Sequence, residues 1–112
     1  MQITRIDALK SLENSRAPFL EVFRHGTLSA EIYSPKLIDN QQVHDKDEVY
    51  IIIAGSGNFY LDGKYFPFQP GDFLFVAAGV EHRFEDFTTD FSTWVFFYGP
   101  VNGEEVAPTI HQ

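Results

Sequence analysis

The chain contains no cysteine, which removes disulfides, thiolate metal sites and cysteine nucleophiles together. Basic residues are scarce: eight Lys and Arg stand against sixteen Asp and Glu, for a formal net charge of -8. A surface of that sign repels phosphate backbones and anionic lipid, so no nucleic-acid partner and no membrane partner is expected. No apolar run approaches the ~20 residues that span a bilayer, and the first residues, MQITRIDALK, hold no signal-peptide core. A cytoplasmic location is the expectation consistent with these absences. Phenylalanine, by contrast, is abundant, with twelve among the 112 residues. Aromatic and β-branched residues in short runs favour strands over helices. The length fits a single domain, 1–112, with a core over about 19–98.

One helix is expected, from Thr4 to Leu12. Thr4 can cap it, and Ile6, Leu9 and Leu12, with Ile3 before them, recur at helical spacing. From Phe19 onward the pattern is strand and turn. Strands are predicted at about Phe19–Arg24, Leu28–Ser34, Glu48–Ile53, Asn58–Leu61, Lys64–Phe68, Phe73–Val76, His82–Glu85 and Thr93–Phe97. Asp62-Gly63 is the sharpest separator, because a two-residue Asp-Gly loop lets both central residues take positive φ. Many short strands at near-even spacing predict an all-β sandwich or barrel. The run from Glu48 to Ile53 alternates Glu48, Tyr50 and Ile52 on one face with Val49, Ile51 and Ile53 on the other. Both faces are largely apolar and both need cover. One is expected to face the interior and the other a second sheet, the N-terminal segment or a partner subunit, and the last of these predicts a homodimer.

Stepping back by twos from Glu48, past an irregularity at Lys46, reaches His44 and Gln42; His82 opens a later strand after Gly79-Val80-Glu81. Gln42, His44, Glu48 and His82 can therefore converge inside an apolar interior. Buried carboxylates and imidazoles are costly unless paired or bound to a cation. Two imidazoles and a carboxylate also form a donor set that a divalent metal with open positions uses.

The segment His44-Asp45-Lys46-Asp47-Glu48-Val49-Tyr50, with Gly55 seven residues after Glu48, resembles the first motif of the cupin superfamily. Pro70-Gly71-Asp72-Phe73 through Gly79-Val80-Glu81-His82 resembles its second motif. The resemblance covers about Thr27 to Tyr98. It implies a double-stranded β-helix, or jelly-roll barrel, with ligands to one divalent ion (Fe, Mn, Zn or Ni) on His44, Glu48 and His82. The sequence departs from the family pattern at four places. Gln42 stands where the first His of a His-x-His pair is usual, so its standing as a fourth ligand is open. Lys36 replaces an opening Gly, Ala77 a Pro and Asp86 an Asn.

Three functions follow. The first is a metal-dependent enzyme on a small organic substrate, most simply a dioxygenase-type oxidoreductase, with Gln42 or Tyr50 orienting the substrate. The second is a non-catalytic module that holds a metal or small molecule. The third is a metal-free isomerase or epimerase, with His82 or His44 as base and Tyr50 as acid. Tyr50, Phe59 and Trp94 are candidate pocket walls, although aromatic strand residues are more often plain core. Glu31 can face the pocket from its strand. His25, His111, Asp45 and Asp47 read as ordinary solvated groups.

Overall fold

A computed structural model describes residues 1–105 of the chain. His111 falls outside the described residues. Helix α1 (Arg5–Ser15) is followed by eight strands: β1 (Phe19–His25), β2 (Leu28–Tyr33), β3 (Asp47–Ala54), β4 (Gly57–Leu61), β5 (Lys64–Phe68), β6 (Phe73–Val76), β7 (His82–Glu85) and β8 (Ser92–Tyr98). Thr4 caps α1, its hydroxyl accepting from the Asp7 N–H at 3.1 Å. Ala8 and Leu12 carry the buried side of α1, whereas Ile6, expected on the inner face, is exposed.

All pairings are antiparallel. One sheet runs β1-β2-β8-β3-β6 and the other β5-β4-β7. They enclose the core as a jelly roll, and among the described residues their edges do not join into one hydrogen-bonded barrel. Asp62 and Gly63 both hold positive φ, 47° and 88°, as the β4–β5 hairpin requires. Gly55 is constrained twice: its φ is +85°, and a Cβ there would lie 2.6 Å from Phe91 Cα.

The interior is aromatic. Tyr50, Phe59, Phe68, Phe84 and Phe91 pack with Ile52, Val76, Val95 and Tyr33. Edge-to-face contacts recur here, as between Tyr50 and Phe84 at 4.9 Å and 86°. A second cluster, Ala8, Leu12 and Ile32, seats α1 on the outside of the larger sheet. Trp94 packs into this second cluster, with Ile53 and Leu20. The expectation that Trp94 lines the pocket is therefore corrected: its neighbour Val95 takes the inward position on β8, and strand alternation turns the indole to the helix side. Ile53 likewise lies under the helix, so only Val49 and Ile51 remain of the apolar outer face expected on β3.

Candidate metal centre

Glu48 is the inward residue at the start of β3 in the larger sheet, and His82 opens β7 in the smaller one. His44 lies in the irregular segment that leads into β3. The two sheets and that segment are stitched together around the site. The Gly79 N–H donates to the His44 carbonyl at 2.8 Å, and the Ala78 N–H donates to Asp47 Oδ1 at 2.9 Å. Asp47 also accepts from the Glu104 N–H at 2.8 Å. Asp47 is thus buried, which corrects the expectation of a solvated charge: its carboxylate holds two turns together. Asp45 and His25 are exposed as expected.

His44, Glu48 and His82 each offer a ligand atom, and these atoms lie within 4.8 Å of one another. Glu48 is fully buried and His82 nearly so. Four buried polar atoms here have no hydrogen-bond partner: His44 Nε2, both carboxylate oxygens of Glu48, and His82 Nε2. The reason is visible at His82. Its Nδ1 donates to the Val80 carbonyl at 2.8 Å, so the neutral ring presents a lone pair at Nε2. That lone pair lies 2.7 Å from Glu48 Oε1. Two acceptors facing each other in a dry interior repel unless a positive charge lies between them. A divalent cation supplies that charge, and the donor set of two imidazoles and a carboxylate suits one. A proton is the competing occupant. Burial opposes protonation of His82, but the Glu48 carboxylate and the Val80 carbonyl outweigh it and lift the imidazole above its ordinary value.

Surrounding groups define how the site is reached. An open cavity of about 1320 Å³ is lined by His44, Gln42, Glu31, Val95 and Phe97, among others. Gln42 is exposed and contributes none of the four orphaned atoms. Residues 34–46 form no strand, so alternation does not carry Gln42 back beside His44. Tyr50 and Phe59 flank His82, with ring centroids 6.2 and 6.3 Å away; both are fully buried and neither is on the cavity lining. Phe97 closes on His44 edge-on at 4.8 Å. Glu31 does face the cavity, in line with buried Ser29 and Tyr33 on β2. Burial, then the nearby Glu21 and Glu48 carboxylates, raise its pKa above the usual value.

Asp39 and Gln41 were not singled out from the sequence. Asp39 is buried and accepts from the Tyr33 hydroxyl at 2.5 Å and the Phe84 N–H at 2.8 Å. Gln41 connects it to the Tyr50 hydroxyl. Lone polar residues in a segment without periodicity leave no pattern from which to find them.

The family model for the cupin domain matches residues 31–96. The chain belongs to the cupin family. It is 26% identical over 103 residues to an uncharacterized protein of Streptomyces coelicolor, covering 89% of this cupin and 98% of that protein. Its fold is similar to a cupin 2 conserved barrel domain protein from Salinispora arenicola, with a TM-score of 0.62, 17% identity and coverage of 72% and 74% of the two chains. It is also similar to the DMSP lyase of Ruegeria pomeroyi, with a TM-score of 0.57 and 28% identity; 67% of this cupin aligns, spanning 40% of that longer chain.

Proposed function

We propose that this cupin holds one divalent metal ion, Fe, Mn, Zn or Ni, on His44, Glu48 and His82, and acts on a small organic substrate that enters through the cavity beside His44. The observation that carries this reading is the group of four orphaned buried acceptors on those three residues. Held by two imidazoles and one carboxylate, a divalent cation would supply Lewis-acid chemistry to a substrate oxygen and, if redox-active, oxygen chemistry. The protein's own residues do the rest. Glu48 supplies the negative charge that retains the cation, and the Val80 carbonyl holds His82 in the tautomer that coordinates. Tyr50, Phe59 and Phe97 exclude water from the inner side of the site. Gln42 and Glu31, on the cavity lining, are placed to orient a substrate.

An oxygenase is the first form of this reading. The likeness to a DMSP lyase supports a second, elimination from a small substrate without oxygen. Metal content of protein purified without chelator tests the common claim, with about one ion per chain expected. Oxygen uptake during turnover then separates the two forms: an oxygenase consumes O₂ and a lyase runs unchanged under argon. A protein that takes up none of the four metals overturns both, and the metal-free isomerase reading takes their place.

A further inference from the structure

Eight charged side chains line the cavity beside the metal centre. Six of them, Glu13, Arg16, Arg24, Lys36, Asp45 and Asp90, are exposed, where water screens their charge. Glu31 and Lys46 are half-buried, and among the described residues neither enters an ion pair. The neighbours of Glu31 do not answer its charge. Glu21 stands opposite it across the β1–β2 pair, a like charge where an opposite one would stabilise. Arg24 is already engaged: it donates to Glu21 at 3.2 and 2.6 Å, and Ser29 Oγ donates to the same carboxylate at 2.5 Å. Lys46 is flanked by Asp45, which is exposed, and by Asp47, whose carboxylate accepts the Ala78 and Glu104 N–H groups. A partly desolvated charge without a partner costs free energy that a ligand of opposite charge recovers.

Strand register sets how far apart these two charges lie. Glu31 pairs with Val95 on β8, and Val95 with Tyr50 on β3. Two residues along, Ser29 pairs with Phe97, and Phe97 with Glu48. Glu31 therefore stands two strands and two residues from Glu48, roughly 12 Å between Cα atoms at ordinary strand spacings. Val95 and Phe97, both on the cavity lining, form an apolar floor between them. Lys46 belongs to the far end, two residues from both His44 and Glu48. We propose that the substrate of this site is a zwitterion, with an organic ammonium group held by Glu31 and a carboxylate held at the metal end by Lys46. An amino acid whose two charges are separated by an apolar chain has that form. The inference rests on the metal reading above only for what else the carboxylate meets; the two unpaired side-chain charges stand without it.

The test is calorimetric titration of the full-length protein, metal-free and zinc-loaded, with the series from 4-aminobutanoate to 6-aminohexanoate. Each member is compared with the plain carboxylate and the plain amine of the same chain length. At least one amino acid should bind roughly ten- to a hundredfold tighter than either single-ended counterpart, as for a hydrogen bond to a charged group. Glu31→Gln keeps the shape of the side chain and removes its charge. It should lower amino-acid affinity to that of the carboxylate and leave the carboxylate itself within a few-fold of wild type. Lys46→Met should do the converse in the metal-free protein, lowering the amino acid to the level of the amine. General damage to the fold would weaken every probe together. A series in which no amino acid outbinds its counterparts overturns the proposal. So does a preference over the carboxylate that survives Glu31→Gln, or one over the amine that survives Lys46→Met in the metal-free protein. If Lys46→Met does not fold, the wild-type comparison with the amine decides the carboxylate end. If the protein takes up no zinc, the metal reading fails by itself, and the metal-free titrations, where the same preference is expected, decide this one.

Discussion

At the scale of single residues, the interior of this cupin concentrates negative charge without matching it. Glu48 is buried with its oxygens unpartnered, and Glu31 lines the cavity beside His44. The raised pKa of Glu31 has a definite thermodynamic sign. The folded state binds its proton more tightly than the unfolded chain, so the stability it contributes is full below the ordinary carboxyl value and is lost as pH rises through the folded value. At neutral pH the ionised group opposes folding. Glu31→Gln is therefore expected to raise the melting temperature of the metal-free protein at pH 7 and to change it little near pH 3. Equal shifts at both values would show that burial of the carboxylate is not the cause. Residues differ in how far sequence discloses them. His44, Glu48 and His82 were legible because two spaced motifs contain them. Asp39 and Gln41 were not, since their partners are contributed by β2, β3 and β7 and nothing nearby in the chain announces them.

At the scale of elements, the strand pattern was readable because Gly and Asp-Gly turns punctuate it; the predicted strands match β1 to β8 to within two residues at each end. The facing of a strand was harder. On β8 both alternating sets are apolar, Val95 and Phe97 on one side and Trp94 and Phe96 on the other. Pattern cannot rank two apolar faces, and the helix that covers Trp94 decides it. Two substitutions test the local physics. Thr4→Ala removes the acceptor for the Asp7 N–H and should cost about 1 kcal/mol in denaturant unfolding. Gly55→Ala should cost more than Gly63→Ala: both replace a glycine at positive φ, but at Gly63 a Cβ meets nothing within 4 Å. At Gly55 the new methyl meets the Phe91 backbone, so the cost includes a shift of the β3–β4 turn away from the segment before β8. A Gly55→Ala variant as stable as wild type would contradict the close approach seen there.

At the scale of the whole molecule, one face of the larger sheet is left apolar and uncovered. The edge strand β6 leaves Phe73 and Phe75 exposed, and they pair with Ile51 and Val49 on the outer face of β3. We propose that a second copy of the chain covers this apolar surface, giving a homodimer. Sedimentation should show a species of twice the 12.8 kDa chain mass at micromolar concentration, and Phe73→Glu should return it to monomer; a wild-type monomer would contradict the proposal. Metal binding should also stabilise the fold as a whole, by about 2.7 kcal/mol at a hundredfold excess over Kd. Its affinity should fall as pH drops and protons compete for the imidazoles. The most direct measurement is metal stoichiometry of His44→Ala, His82→Ala and His25→Ala beside wild type, each offered Fe, Mn, Ni and Zn. The account predicts about one ion per chain in wild type and His25→Ala, with little or none in the other two. Full metal content in His44→Ala and His82→Ala, or none in wild type, would contradict it.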